Sequence, residues 1–152
     1  MLKNLFYFID KLDLLKPETP ALWGKMTAQH MVEHLISAVQ MGNGKLSVDC
    51  FNSLEKLPAL KRFLMSERPL PKLFINPLIG PDLVQLKFSN LDEAKENLKK
   101  EIDDYYKCFE NNPGIKFMHA TFGELNKEEW DKFNQKHFTH HLSQFGLIDP
   151  GK

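Results

Sequence analysis

The chain has 152 residues, 42% apolar and 26% charged, with 20 basic and 20 acidic side chains and no net charge. That is a single domain's worth, residues 1–152, able to bury roughly two-thirds of its unfolded surface. It lacks the basic excess that would neutralise nucleic-acid phosphates or hold a chain to acidic lipid.

No apolar run approaches the ~20 residues of a spanning helix. Residues 1–10 mix Lys3, Asn4 and Asp10 into their apolar positions and do not read as a secretory signal. Cys50 and Cys108 are far apart, which suits reduced thiols in a cytoplasmic protein better than a disulfide framework.

Four stretches carry helical periodicity. Leu2, Leu5, Ile9, Leu12 and Leu15 recur at three and four with Phe8 beside them, until Pro17 and Pro20 end the pattern. Thr27 can cap a second helix with the stripe Ala28, Met31, Val32, Leu35, Ala38 and Val39, stopped by Gly42-Asn43-Gly44. Residues 45–89 hold five of the nine prolines (Pro58, Pro69, Pro71, Pro77 and Pro81) and read as a long crossover. Within it Pro58 can open a short helix carrying Leu60, Phe63 and Leu64, and Val84, Leu86 and Phe88 alternate as in a brief extended segment.

Asn90 caps the clearest helix, with Leu91, Ala94, Leu98, Ile102, Tyr105 and Phe109 on one stripe and Asp92 and Glu93 at its positive end. Tyr105 packs on this reading. Glu101, Asp103 and Asp104 form a solvated face, with Asp103 and Lys107 spaced as an i,i+4 pair and Cys108 as a small packed residue. Pro113-Gly114 closes the helix. Asn126 and Glu129 open the last one, about 19 residues and roughly 28 Å long, with Gly146 as its stop. Four long amphipathic helices around one core predict an all-α four-helix bundle with a proline-rich crossover. Trp23 and Trp130 are expected in its core.

Five of the six histidines fall in two clusters, His30 and His34, then His137, His140 and His141. On a helical wheel Trp130, Phe133, His137, His141, Gln144 and Phe145 share one face, and His140 falls on its flank. Two inward imidazoles one turn apart need partners for their nitrogens. A divalent cation can provide them, since i,i+4 rings can meet one ion, and so can carboxylates or carbonyls of neighbouring helices. A third ring would come from His34, roughly 100° from the centre of the second helix's stripe, whereas His30 lies further toward solvent. Three neutral imidazoles leave a coordination position open, as in catalytic sites. His30-Met31-Val32-Glu33-His34 also spells H-x-x-E-H, an inverted zinc-peptidase pattern with Glu33 as base, but His30 and His34 do not share the apolar face.

Three blocks carry a family resemblance. Leu22-Trp23-Gly24-Lys25-Met26-Thr27-Ala28-Gln29, leading into Met31-Val32-Glu33-His34-Leu35, is similar to the beginning of a DinB-like family of unknown function. His119-Ala120-Thr121-Phe122-Gly123-Glu124-Leu125, followed by Glu129-Trp130, resembles that family's H-P-x-F-G-x-L and E-W segment, with Ala120 in place of proline. The run from His137 to Gly146 resembles its closing H-x-x-H-H-x-x-Q-F-G.

The resemblance implies a DinB/YfiT-like four-helix bundle, often dimeric, with a divalent metal on three histidines that map to His34, His137 and His141. It further implies a metal-dependent transferase or hydrolase, in which a metal-activated water or low-molecular-weight thiol attacks a small electrophile. Imidazole suits zinc, nickel, copper and iron alike, zinc and nickel being the leading candidates. Gln144 could orient a ring or a bound water; His119, His140 and Glu33 are candidates for proton transfer, or structural residues. The alternative is a non-catalytic bundle for oligomerisation or partner binding. Proton competition for the rings predicts weaker metal binding below about pH 6.5.

Overall fold

The computed structural model describes residues 2–72 and 83–149. Pro77 and Pro81 of the crossover lie outside them. Among the described residues the chain is mostly helical, with five helices and one small antiparallel sheet. No helix among them is long and apolar enough to cross a membrane.

The local signals set the helices. Helix α1 (Leu5–Leu12) begins where the Asn4 side chain accepts the Phe6 amide, and it buries Leu5, Phe8, Ile9 and Leu12. Leu15, beyond the helix end, is also buried, but Leu2 precedes the cap and is 41% exposed, so the predicted stripe loses its first member. Helix α2 (Ala28–Gly42) starts at Thr27, which accepts the His30 amide, and ends at Asn43. All six residues of its expected stripe are buried. Helix α3 (Leu57–Met65) has Pro58 in its first turn, where the missing N–H costs nothing. It buries Leu64, while Leu60 and Phe63 are partly buried.

Helix α4 (Leu91–Asn111) begins at Asn90 and buries the whole predicted stripe. Its acidic face departs from expectation. Asp103 and Lys107 form the exposed i,i+4 pair at 2.8 Å. Glu101, however, is only 3% exposed; it accepts from Asn43 Nδ2 at 3.0 Å and pairs with Lys45 at 2.9 Å. The end of α2 packs over this flank of α4, so a carboxylate beside Ile102 is enclosed and satisfied rather than solvated. Cys108 is half-buried.

Strands β1 (Phe117–His119) and β2 (Gly123–Leu125) pair antiparallel, with His119 opposite Gly123. Three residues per strand are too few for alternation to announce them, and the sequence reading has no hairpin here. Conversely, residues 83–88 belong to no ladder. Val84 and Leu86 are exposed, and the Lys87 and Phe88 amides donate to the Glu33 carboxylate at 2.7 and 3.2 Å. Gln29 Nε2 donates to the Phe88 carbonyl at 2.8 Å. Side chains of α2, rather than a sheet, satisfy this backbone.

Helix α5 (Lys127–Gln144) opens with a complete capping box: Asn126 accepts the Glu129 amide, and Glu129 accepts the Asn126 amide. Asn126→Ala should therefore cost about 1 kcal/mol, read as a lower urea midpoint at unchanged slope. Gly146, at φ +70°, takes the left-handed conformation that ends such helices. Helix α5 is packed by α1, α2, α3 and β2. That surrounding explains why residues off its expected face, Asn134, Phe138 and Leu142, are buried as deeply as Trp130. Helices α2 and α4 make the most extensive helix pair, and α1 bridges α4 and α5.

Candidate metal centre

Two helices deliver the site. The capping box of α5 fixes the rotation that turns His137 and His141 inward, one turn apart, where they are 6% and 7% exposed. The Thr27 cap and apolar stripe of α2 place His34 on the flank facing α5. His34 Nε2 lies 2.9 Å from His137 Nε2, which lies 3.1 Å from His141 Nε2. The three rings are close to mutually perpendicular, at 70°, 73° and 80°. One nitrogen from each of His34, His137 and His141 falls within 4.8 Å of the other two.

This donor set fits a divalent ion. Bonds of about 2.0–2.1 Å to nitrogen put neighbouring ligand atoms roughly 2.9 Å apart at right angles and about 3.4 Å apart in a tetrahedron. The His34–His137 and His137–His141 separations lie within that span, and the third nitrogen pair is held within 4.8 Å. No other histidine, cysteine or acidic residue joins the group among the described residues, so three side chains converge, one fewer than the four ligands of a closed structural site.

The surroundings keep the rings neutral. His34 is a half-buried residue, yet burial of its ring, with His140 nearby, lowers its pKa to about 4. Burial holds His137 and His141 well below the usual imidazole value, and the neighbouring histidines push the same way. Phe133, one turn before His137, stacks on that ring at 4.8 Å between centroids.

The remaining candidates lie in distinct places. Gln144 Oε1 is 2.8 Å from His141 Nδ1. His140 is half-buried, its ring 4.8 Å from that of His141 and 5.8 Å from Trp23. Burial lowers its pKa, the Leu70 carbonyl raises it and Lys72 lowers it. Trp23 is only half-buried, with Lys72 Nζ 4.4 Å from its ring centre, whereas Trp130 is fully enclosed.

His119 is not among the convergent rings. Its Nδ1 accepts the Thr121 and Phe122 amides at 2.9 and 3.3 Å, bracing the hairpin turn, and burial lowers its pKa to about 3. Ala120, in that turn, is buried, and its carbonyl accepts the Phe51 amide. His30 Nδ1 meets the Thr27 hydroxyl at 2.6 Å, outside the histidine group. Glu33 is engaged by Gln29, Lys87 and Phe88. The H-x-x-E-H string thus distributes its three polar residues over a helix cap, a loop anchor and the histidine group, and does not assemble a peptidase site.

A family model described as a protein of unknown function (DUF1569) matches residues 104–146. The match is to an uncharacterised family. It takes in the end of α4, the hairpin and α5 through Gly146, and so includes His119, His137, His141 and Gln144 but not His34. The matched segment therefore carries two of the three convergent rings, with α2 contributing the third. No curated protein and no solved structure matches the chain.

Proposed function

We propose that the chain is a divalent-metal protein of the DinB-like four-helix type, with His34, His137 and His141 as ligands, acting as a metal-dependent transferase or hydrolase on a small electrophile. The convergence of three buried imidazole nitrogens without a neighbouring carboxylate carries this reading. The mutual packing of α1, α2, α4 and α5, with α3 laid on α5, supports the bundle. A zinc, nickel or iron ion held by His34, His137 and His141 would supply Lewis acidity that lowers the pKa of a bound water or thiol.

The chain's own residues prepare the site. Burial keeps the rings unprotonated, as ligands must be. Phe133 covers one face of His137. A low-molecular-weight thiol as co-substrate, a homodimer and a cytoplasmic setting belong to the same proposal, on the strength of the motif resemblance.

Metal analysis and melting test it. Purified protein should carry close to one divalent ion per chain. Zinc or nickel at a hundred times its Kd should add about 2.7 kcal/mol of stability, worth roughly 5–10 °C in Tm for a chain of this size. Protein free of metal in every preparation, with melting indifferent to either ion, would leave a non-catalytic helical module.

A further inference from the structure

Gln144 ties the end of α5 to a segment more than a hundred positions earlier. Its main-chain carbonyl accepts the Leu22 amide at 2.7 Å, and its side-chain Nε2 donates to the Trp23 carbonyl at 2.9 Å. Its Oε1 meets His141 Nδ1 at 2.8 Å. These contacts determine where the protons are. A backbone carbonyl can only accept, so the Gln144 NH2 must face Trp23; turned over, the amide would set two oxygens against each other. Oε1 then faces His141, and an amide oxygen also only accepts. His141 Nδ1 must carry the hydrogen. A neutral imidazole has one N–H, so His141 Nε2 is bare, and it is the atom 3.1 Å from His137 Nε2.

Gly24 makes room for this arrangement. It sits at φ +81°, and a Cβ there would lie 2.8 Å from Gln144 Nε2. Any side chain would both strain the turn and push the amide off the Trp23 carbonyl. His137 has no equivalent support. Its Nδ1 is buried with no hydrogen-bond partner among the described residues. Two histidines one turn apart on one helix are thus unequal: one has its tautomer fixed from outside, and the other does not.

We infer that Gln144 is a positioning residue which, anchored on the Trp23 carbonyl beside Gly24, locks His141 in the Nδ1–H tautomer and so presents a bare Nε2 to a metal ion. Its consequence for binding rests on the metal reading above; the tautomer does not. The Trp23–Gly24 turn is then part of the metal centre's support, although neither residue touches the histidine nitrogens. Orienting partners of this kind are worth about 10–100-fold in metal affinity.

Nitrogen-15 NMR of the histidine rings in metal-free protein, paired with zinc titration, tests the inference. Wild type should show His141 as the Nδ1–H tautomer. Gln144→Met, of similar size but without the acceptor, should show a tautomer mixture and a zinc Kd weaker by about 10–100-fold. Gln144→Glu keeps an acceptor opposite Nδ1 but gives up the donor to the Trp23 carbonyl, so it should hold more of the Nδ1–H tautomer than Gln144→Met, with a Kd between that variant's and wild type's. A purely packing role would not separate these two variants. Should Gln144→Met fail to fold by far-UV circular dichroism, Gly24→Ala displaces the amide while leaving it chemically intact, and should reproduce the mixture.

Wild-type His141 in the Nε2–H form overturns the inference. So does a displaced or deleted amide that changes neither tautomer nor Kd. If wild type keeps Nδ1–H on His141 yet takes up no zinc, the relay stands and the metal reading falls.

Discussion

His34→Ala should lower zinc or nickel affinity by more than about a hundred-fold, beyond the loss expected from an outer orienting partner. The helical circular dichroism signal should stay unchanged. The fold survives because the buried stripe of α2 runs through Ala28, Met31, Val32, Leu35, Ala38 and Val39 and does not include His34. The proposed metal site would not survive, because His137 and His141 alone present two nitrogens from one helix, and the third comes across from α2. Equilibrium dialysis with elemental analysis reads the occupancy. His30→Ala serves as the control: His30 sits on the Thr27 hydroxyl, so its loss should leave stoichiometry at the wild-type level. Undiminished binding by the His34 variant, or equal loss in both, would remove α2 from the site.

The second large effect is acid sensitivity. His34 and His119 titrate near 4 and 3 in the folded chain, and His137 and His141 are also held well below 6.5. The unfolded chain takes up protons on these rings near 6.5. Between those limits the unfolded state binds more protons, so stability falls as pH drops below 6.5 and keeps falling until the folded-state values are reached. Above 6.5 these rings add no further pH dependence. For a ring shifted to about 4, the loss by pH 5 is about 2 kcal/mol. Several such rings together take a large share of the 5–15 kcal/mol available to a typical domain.

Metal-free protein should therefore show a clearly lower urea midpoint at pH 5.0 than at pH 7.5. His119 contributes independently of any metal. Protonating its Nδ1 would displace the Thr121 and Phe122 amides, so His119→Gln should flatten part of the pH dependence. Equal midpoints at the two pH values would refute the burial of neutral rings. Burial also moves proton competition for the metal downward. In the folded chain it should begin nearer 4 than the 6.5 expected of a free imidazole at His34, so occupancy should persist through pH 6 for as long as the fold does.

Much of this was decided locally and is visible in the sequence. Thr27, Asn90 and Asn126 mark three helix starts, and in each the side-chain oxygen accepts an amide of the first turn. Such caps and the 3.6-residue period involve neighbours three or four positions apart, so the sequence places them without knowing what packs where. The same periodicity puts His137 and His141 on one buried face of α5, with Phe133 a turn earlier and Gln144 three residues on.

What covers the flanks of each helix was decided only by tertiary packing. Glu101 reads as a solvated acid until the end of α2 closes over it with Asn43 and Lys45. Glu33 reads as a base beside His34, but its carboxylate is the acceptor for an irregular segment more than fifty residues on. His119 resembles a possible proton donor, and the hairpin it braces is too short to leave a periodic trace.

The meeting of His34 with the α5 pair, and of Gln144 with Trp23, spans more than a hundred residues each. Periodicity tells which way a side chain points from its own helix axis and nothing about the distance between axes. That distance is set by the apolar side chains packed between the helices, and it is what brings three ring nitrogens to one place.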